Sequence, residues 1–344
     1  MSDPRGAGGR RFDAVMAGER RDLLAQLWRM AMWLPMLGYA AGNAARQAMF
    51  DLGVRRAARL PVPVISIGNL SAGGTGKTPA TIWLARHLQA LLPAGRLVGL
   101  LSRGYGNDER RLLADALPAV PHGVGASRAT AGRELLAAHP DIACLLLDDG
   151  FSHRQLARDL DIVLVDATRP FAWGELLPRG LLREPPGALR RAHAVILTRA
   201  DQASHEQLAR LDARCRRSGV PVAHAEHAAA DGQVETLRNR AVFAASGVGN
   251  PAAFRRTLEQ LGAQVVGECR MPDHHAWSAA DVARVNEQAA AAGNALVVTT
   301  SKDAVKLPAA GWHVVAVEFS LRESADAVAL HERIALTVRA RSAT

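Results

Sequence analysis

A glycine-rich segment, GNLSAGGTGKT at residues 68–78, carries the residue types that bind nucleotide phosphates. Glycines let the backbone wrap around a phosphate group and direct its N–H groups inward. The Lys77 ammonium would neutralise the β- and γ-phosphates, and the Thr78 hydroxyl would bind Mg²⁺. The usual pattern has a glycine where Ser71 stands. We predict that the ATP-binding loop consists of Ser71, Ala72, Gly73, Gly74, Thr75, Gly76, Lys77 and Thr78.

Two adjacent carboxylates, Asp148 and Asp149, follow the apolar run 142–147. Burying neighbouring acids costs free energy unless they meet a cation or hydrogen-bond donors. In P-loop enzymes an aspartate at the end of a strand holds or orients Mg²⁺. We therefore predict that Asp148 is a metal-site acid. A solvated turn at residues 148–150 is the alternative.

The elements that must position these residues alternate along the chain from residue 61 onward. Apolar, β-branched runs such as 63–67 and 161–165 are separated by stretches with helical spacing, such as 79–92. This alternation predicts an α/β fold with mostly parallel sheets covered on both faces. Ligands of such sheets bind at the carboxyl ends of the strands. A Pro/Gly-rich connector at 181–187 suggests a domain boundary.

The N-terminal part of the chain has a different character. Residues 1–20 are rich in glycine and arginine, and we expect a mobile start there. The apolar, tryptophan-containing segment 23–39 is interrupted by Arg29 and Pro35. A membrane-spanning helix needs ~20 apolar residues. A helix lying in the membrane interface, with arginines on anionic lipid, is therefore favoured. A buried core helix is the alternative.

Composition restricts the class of protein and its partners. The 344 residues are 49% hydrophobic and 22% charged, which is typical of a globular protein of about two domains and not of a disordered chain. The three cysteines form no CxxC pair, which fits a reducing cytoplasm. A net charge of +9 favours an anionic membrane surface or a phosphorylated substrate. Without a nucleic-acid-binding motif, we expect no nucleic acid partner, and no obligatory protein partner is evident.

A wider set of segments resembles the tetraacyldisaccharide 4'-kinases, the LpxK family. The segments occur in the order typical of that family and cover about residues 60–310. They are GNLSAGGTGKTP (68–79), LSRGYG (101–106), NDE (107–109), GASR (125–128), LLLDDGFSHRQLARDLDIVLVDA (145–167), LLPRGLLREP (176–185), GVGNPAAF (247–254), PDHHAW (272–277) and TTSKDAVKL (299–307).

The resemblance implies a P-loop NTPase-like α/β fold with two α/β/α sandwich domains and an N-terminal membrane-associating helix. Residues 1–60 would form the mobile segment and that helix, 61–185 the ATP-binding kinase domain, and 186–344 a second domain that closes the active-site cleft. The reaction implied is transfer of the γ-phosphate of ATP, with Mg²⁺, to the 4'-hydroxyl of the lipid A disaccharide precursor. The protein would work at the cytoplasmic face of the bacterial inner membrane, as a peripheral or monotopic protein.

The resemblance also assigns residues. Asp108 resembles the carboxylate that activates the sugar hydroxyl, and His274 the histidine that orients it. Glu109 and Asp148 resemble metal-site acids, with Asp149 beside them, and Arg128 an arginine that faces phosphate or substrate. The connection from Gly106 to Asp108 is shorter than is typical of the family, and Asn107 replaces a glycine. The resemblance leaves open whether Lys302 and Lys306 touch the nucleotide or fix the second domain.

Two other functions share parts of this pattern. A membrane-tethered partitioning ATPase also combines GGxGKT with an amphipathic helix. Such proteins carry a lysine early in the loop, where this chain has Ala72. A soluble P-loop kinase that acts on a small molecule, with an N-terminal segment that only packs into the core, is the other alternative.

Overall fold

The computed structural model describes residue 15 and residues 22–104, 107–229, 233–273, 275–308 and 310–340. At 107–109, 172–173 and 227–229 it describes the backbone but not the side chains. Apart from residue 15, the expected mobile start at 1–20 lies outside the described residues. The chain forms two compact units. The P-loop unit comprises Met1–Gly104, Leu117–Ala225 and Leu321–Thr344, and the second unit comprises Tyr105–Ala116 and Glu226–Ser320.

The strands of the described residues form two sheets. In chain order the strands are β1 (Val64–Asn69), β2 (Leu97–Ser102), β3 (His122–Val124), β4 (Ile142–Asp148), β5 (Leu160–Asp166), β6 (Ala194–Thr198), β7 (Val222–Ala229), β8 (Ala241–Ser246), β9 (Gln264–Arg270), β10 (Leu296–Thr300), β11 (His313–Val315) and β12 (Val317–Leu321). The eight-stranded sheet has the order β12-β7-β6-β5-β1-β4-β2-β3, and the four-stranded sheet has the order β11-β10-β8-β9.

The α-helices of the described segments connect and cover these strands. They are α1 (Leu23–Ala31), α2 (Trp33–Asp51), α3 (Lys77–Leu91), α4 (Asn107–Ala116), α5 (Arg128–Ala138), α6 (His205–Arg216), α7 (Gln233–Leu237), α8 (Pro251–Gln260), α9 (Ala279–Ala291), α10 (Ser301–Ala304) and α11 (Ala325–Arg339). Short 3-10 helices span Pro170–Gly174 and Pro186–Arg191.

The strands pair mostly in parallel, as their apolar runs predict. Neighbouring strands from β3 through β4, β1 and β5 to β7 are parallel, as are the strands of the smaller sheet. Successive side chains of a strand point to opposite faces of the sheet. In β8, Val242 and Ala244 belong to one apolar cluster and Phe243 and Ala245 to another. Both faces of the sheet are therefore covered at β8, which explains why that strand is a continuous apolar run.

The division into units differs from the boundary expected at 185/186. β6 lies after that point but pairs with β5 in the sheet that contains the phosphate loop, with Val195 opposite Val163. α11 also belongs to the P-loop unit and packs against α3. Conversely, Tyr105–Ala116 belongs to the second unit. The Pro/Gly connector links two strands of one sheet and is not a boundary between domains, because β5 before it pairs with β6 after it.

The apolar N-terminal segment forms two helices rather than one. α1 ends at Ala31 and α2 begins at Trp33, two residues before Pro35. Proline lacks an N–H and is tolerated in the first turn of a helix, where that donor has no partner within the helix. None of the helices in the described ranges is long and apolar enough to cross a membrane.

Candidate active site

The phosphate loop leaves β1 and leads directly into α3, whose first residue is Lys77. Gly73 and Gly76 have φ values of +107° and +81°, in the left-handed region that favours glycine. Gly76 is the N-cap of α3, so the free N–H groups of the first helical turn follow it immediately. The N-terminus of a helix carries the positive end of the helix dipole as well as free N–H donors. It therefore suits an anion such as a phosphate.

Contacts from neighbouring strands and loops hold the phosphate loop in place. The Asn69 amide donates to the Ser71 carbonyl and to Thr75 Oγ1, both at 2.8 Å. The Thr198 hydroxyl, at the end of β6, donates to the Thr75 carbonyl at 3.0 Å. Such contacts fix the loop before a ligand arrives, which reduces the ordering cost of binding.

A bidentate ion pair lies beside the loop. The Arg183 guanidinium donates to both oxygens of Asp149, at 2.8 and 2.9 Å, and also reaches the Ser71 carbonyl at 3.3 Å. Burial raises the pKa of Asp149, but the charges of Lys77 and Arg183 outweigh it and lower the pKa to about 2. Asp149 is therefore ionised at neutral pH. The Lys77 ammonium donates to Asn69 Oδ1 at 3.4 Å.

Asp148 lies at the carboxyl end of β4, where it pairs with Ile67 of β1. Thr81 Oγ1 of α3 donates to Asp148 Oδ1 at 2.9 Å, so the carboxylate lies against the helix that begins with Lys77 and Thr78. In the described part of the chain, no cluster of three or more His, Cys, Asp or Glu residues could hold a metal ion. Mg²⁺ in nucleotide sites uses one or two carboxylates together with phosphate oxygens and water. A hydroxyl and one carboxylate beside a phosphate loop fit that requirement.

Arg128 is a buried cation at the start of α5, with 4% of its surface exposed. Its Nη1 donates to the carbonyls of Gly125 and Ala126 at 3.3 and 3.2 Å, while its Nε has no hydrogen-bond partner. Burial and the charge of Arg103 lower the pKa of Arg128, against the opposing effect of Asp149. A cation at a helix N-terminus is unfavourable, and the nearby carboxylates Asp148 and Asp149 do not outweigh burial and the charge of Arg103. The position therefore suits an anionic ligand.

The second unit contains the segments that carry the other predicted site residues. α4 carries Asp108 and Glu109, whose side chains lie outside the described residues, and it packs against α10. His274 also lies outside the described residues, between Asp273 and His275. The fold thus brings the two segments into one unit, although they are far apart in sequence.

Lys302 and Lys306 form ion pairs within the second unit. The Lys302 ammonium donates to Asp273 Oδ1 at 3.0 Å, and Lys306 Nζ lies 3.0 Å from Asp303 Oδ1. Neither partner was singled out from the sequence, and neither were Asn69, Thr81 and Arg183. Asn69 and Arg183 do lie in the segments that carry the family resemblance, but no local pattern reveals which residues they contact.

Comparison with known proteins identifies the family. Residues 28–335 match the family model described as tetraacyldisaccharide-1-P 4'-kinase. A tetraacyldisaccharide 4'-kinase from Anaeromyxobacter dehalogenans (strain 2CP-C) is 43% identical over 354 residues, covering 92% of this chain and 93% of that protein. The chain belongs to the tetraacyldisaccharide-1-P 4'-kinase family. The prediction of the family from its motifs is confirmed.

Further members and a solved structure agree with this assignment. The tetraacyldisaccharide 4'-kinase from Chromobacterium violaceum is 39% identical, covering 81% of this chain and 84% of the relative. A crystal structure of LpxK from Aquifex aeolicus in complex with ATP has a TM-score of 0.67 and 26% identity, covering 90% of this chain and 99% of that one. The predicted α/β fold with mostly parallel sheets and the predicted kinase activity are confirmed. The family match decides against the partitioning ATPase.

Proposed function

We propose that this member of the tetraacyldisaccharide-1-P 4'-kinase family transfers the γ-phosphate of ATP to the 4'-hydroxyl of a tetraacylated glucosamine disaccharide 1-phosphate. The observation that carries the proposal is the fixed glycine loop of the P-loop unit. It ends at the N-terminus of α3 and has Lys77, Thr78 and Asp148 around it. Phosphoryl transfer needs positioned positive charge more than covalent chemistry. Lys77 and the N-terminus of α3 supply such charge, and Thr78 and Asp148 would hold the Mg²⁺ that adds to it.

The P-loop unit binds the phosphate donor. The N–H groups of the glycine loop and of the first turn of α3 would surround the β-phosphate, and Lys77 would neutralise the β- and γ-phosphates. Thr78 and Asp148 would hold Mg²⁺, which supplies positive charge to the phosphates when bound; Glu109 stays a proposed further metal-site acid. Asp149 keeps Arg183 against the loop, and Arg128 faces an anionic group of the nucleotide or the lipid.

The acceptor is activated by a carboxylate. Asp108 accepts the proton of the 4'-hydroxyl while that oxygen forms a bond to the γ-phosphorus. The bond from that phosphorus to the bridging oxygen breaks, and ADP leaves. His274 orients the Asp108 carboxylate. Because α4 lies against α10, the backbone that carries Asp108 is packed within the second unit.

The test is a product assay with the purified full-length chain. It is incubated with radiolabelled ATP, Mg²⁺ and the disaccharide 1-phosphate lipid in detergent, and the product is mapped by mass spectrometry and ³¹P NMR. We expect a bisphosphorylated lipid, and no labelling of a control lipid that lacks the 4'-hydroxyl. ATP hydrolysis without lipid labelling would refute the lipid as acceptor and leave the nucleotide site intact.

We also propose that α1 and α2 bind the anionic cytoplasmic surface of the inner membrane. Large apolar side chains on these helices are exposed: Leu23, Leu24, Leu27, Met30, Trp33, Leu34 and Leu37. The Arg179 guanidinium lies over the Trp33 ring, 4.4 Å from its centre. Tyr39 OH donates to the Arg183 carbonyl at 2.9 Å, which fastens α2 to the loop that carries Arg183. An apolar surface flanked by arginines suits a membrane interface.

Vesicle sedimentation tests this membrane proposal. Glutamate substitutions at Leu24 and Leu34, which are 75% and 78% exposed, should abolish sedimentation with phosphatidylglycerol-containing vesicles. The matched control is Leu336→Glu on α11, an equally apolar side chain that is 65% exposed. We expect the control to sediment like the wild type. Unchanged sedimentation of the double variant would refute the assignment of the membrane surface to α1 and α2.

A further inference from the structure

Asp303 is a fully buried carboxylate at the end of the second unit's sheet. Its side chain is inaccessible to solvent, and both of its oxygens are occupied by donors. Oδ1 accepts from Trp277 Nε1 at 3.0 Å and lies 3.0 Å from the Lys306 ammonium. Oδ2 accepts from the Gly247 N–H at 2.9 Å and from the Thr300 hydroxyl at 2.8 Å. Burial of a charge is tolerated only with such pairing.

The donors come from separate segments of the chain. Gly247 follows β8 and Thr300 ends β10, so both lie at the carboxyl edge of the four-stranded sheet. Trp277 ends the segment 272–277, which follows β9 at the same edge. The segment is here called the histidine turn after His274, whose own placement lies outside the described residues. One carboxylate therefore joins the ends of two strands to the turn. A Cβ at position 247 would lie 3.0 Å from Asp303 Oδ1, which is closer than an ordinary van der Waals contact and favours glycine there.

The other end of the histidine turn is held by the same short helix. Lys302, next to Asp303 on α10, donates to Asp273 Oδ1 at 3.0 Å. The residue before His274 and the residue that closes the turn are thus both tied to α10. α10 also packs against α4, the helix that carries Asp108.

We propose that Asp303 is a positioning residue for phosphoryl transfer: through Trp277 it fixes the histidine turn relative to α4. This inference rests on the proposed role of His274. A buried ion pair adds little stability compared with apolar residues of the same volume. Hydrogen bonds to a charged acceptor are directional and strong, so the contribution of Asp303 is to the geometry of the turn.

Trp277→Phe tests the proposal without removing a charge from the interior. The substitution keeps the ring in its apolar cluster and deletes the Nε1–H donor to Asp303. Its matched control is Trp312→Phe. Trp312 packs edge-on against Trp277 in the same cluster, but its Nε1 donates to Asn286 at 2.8 Å. We expect kcat of Trp277→Phe to fall about tenfold, the effect of ~1.4 kcal/mol on the barrier, with KM for ATP and lipid unchanged. Trp312→Phe should keep the wild-type kcat.

A double-mutant cycle with His274→Ala separates positioning from general destabilisation. If Trp277 acts through His274, its substitution will not lower kcat further in the His274→Ala protein. The same tenfold loss in that background would overturn the positioning role and leave the proposed catalysis intact. Full activity of His274→Ala would overturn both. Asp303→Asn should reproduce the kcat loss of Trp277→Phe, together with a lower thermal midpoint because Lys306 loses its counter-charge.

Discussion

The phosphate loop and the histidine turn are built in different ways. The loop is a continuous segment, residues 68–78, whose glycines and helix N-terminus create an anion site almost by themselves. The histidine turn is held by hydrogen bonds to Asp303 and Lys302, which follow α9 in the sequence. Asp303 also accepts a hydrogen bond from the Gly247 N–H at the end of β8. The donor site is thus encoded locally, whereas the turn proposed to orient the catalytic carboxylate is assembled from distant segments.

The difference has a consequence for mutation. Substitutions in the locally encoded loop should remove charge from the phosphates and affect the rate strongly, with little change in folding. Substitutions around the histidine turn should displace side chains without removing charge from the phosphates. Each should therefore lower the rate by a smaller factor.

Lys77→Ala should lower kcat about a thousandfold, because a positioned charge on the transferred phosphate is lost. The thermal midpoint should change little, since the hydrogen bond from the ammonium to Asn69 is long and Asp149 keeps Arg183 as its bidentate partner. Single-turnover kinetics and a melting curve measure the two quantities. Near-normal turnover would refute the proposal that the glycine loop binds the phosphates of ATP.

Asp148→Asn should lower kcat about a hundredfold and raise the Mg²⁺ concentration needed for half-maximal rate, because a neutral amide is a poor Mg²⁺ ligand. Asp141→Asn, just before the opposite end of β4, is the control and should behave as wild type. A Mg²⁺ titration of the rate distinguishes them. Identical titrations for both variants would remove Asp148 from the metal site.

Arg183→Lys should raise KM for ATP about tenfold with a smaller effect on kcat, because a lysine cannot make the bidentate contact with Asp149. Arg190→Lys, at an exposed site in the following 3-10 helix, is the control. Steady-state kinetics with varied ATP provide the measurement. If KM stays at the wild-type value, Arg183 does not shape the loop.

The same ion pair predicts a small dependence of stability on pH. The pKa of Asp149 is lowered to about 2 in the folded protein, whereas it is ~4 in an unfolded chain. Its stabilising contribution is therefore present above pH ~4 and lost as the pH falls towards 2. The pair is partly exposed, so we expect at most ~1 kcal/mol.

Urea unfolding of the wild type and Asp149→Asn between pH 6 and 2 measures this term. The free-energy difference between the two proteins should be constant down to pH ~4 and then shrink. A difference that does not vary with pH would show that the ion pair contributes nothing to folding.

The sequence was sufficient for the parts of the fold that depend on local pattern. The runs 142–147 and 161–165 correspond to β4 (Ile142–Asp148) and β5 (Leu160–Asp166), because strands buried on both faces are continuously apolar. The glycine loop was recognisable because strand, loop and helix follow each other directly.

The parts that depend on long-range contacts were not predictable in the same way. The sequence of α11 (Ala325–Arg339) does not indicate that this helix packs on α3. The sequence of residues 105–116 likewise does not indicate that they belong to the second unit. Likewise, the bidentate contact of Arg183 with Asp149 and the burial of Asp303 arise from pairing between separate segments. Such pairing has no periodicity in the sequence.

We propose that ATP binding belongs to the P-loop unit and that Asp108 of the second unit activates the acceptor. The most direct test measures both steps in Asp108→Ala: the dissociation constant of ATP by calorimetry, and formation of the bisphosphorylated lipid in a single turnover. We predict an unchanged ATP affinity and almost no product. A variant that still forms product at the wild-type rate, or one that no longer binds ATP, would contradict this division of roles.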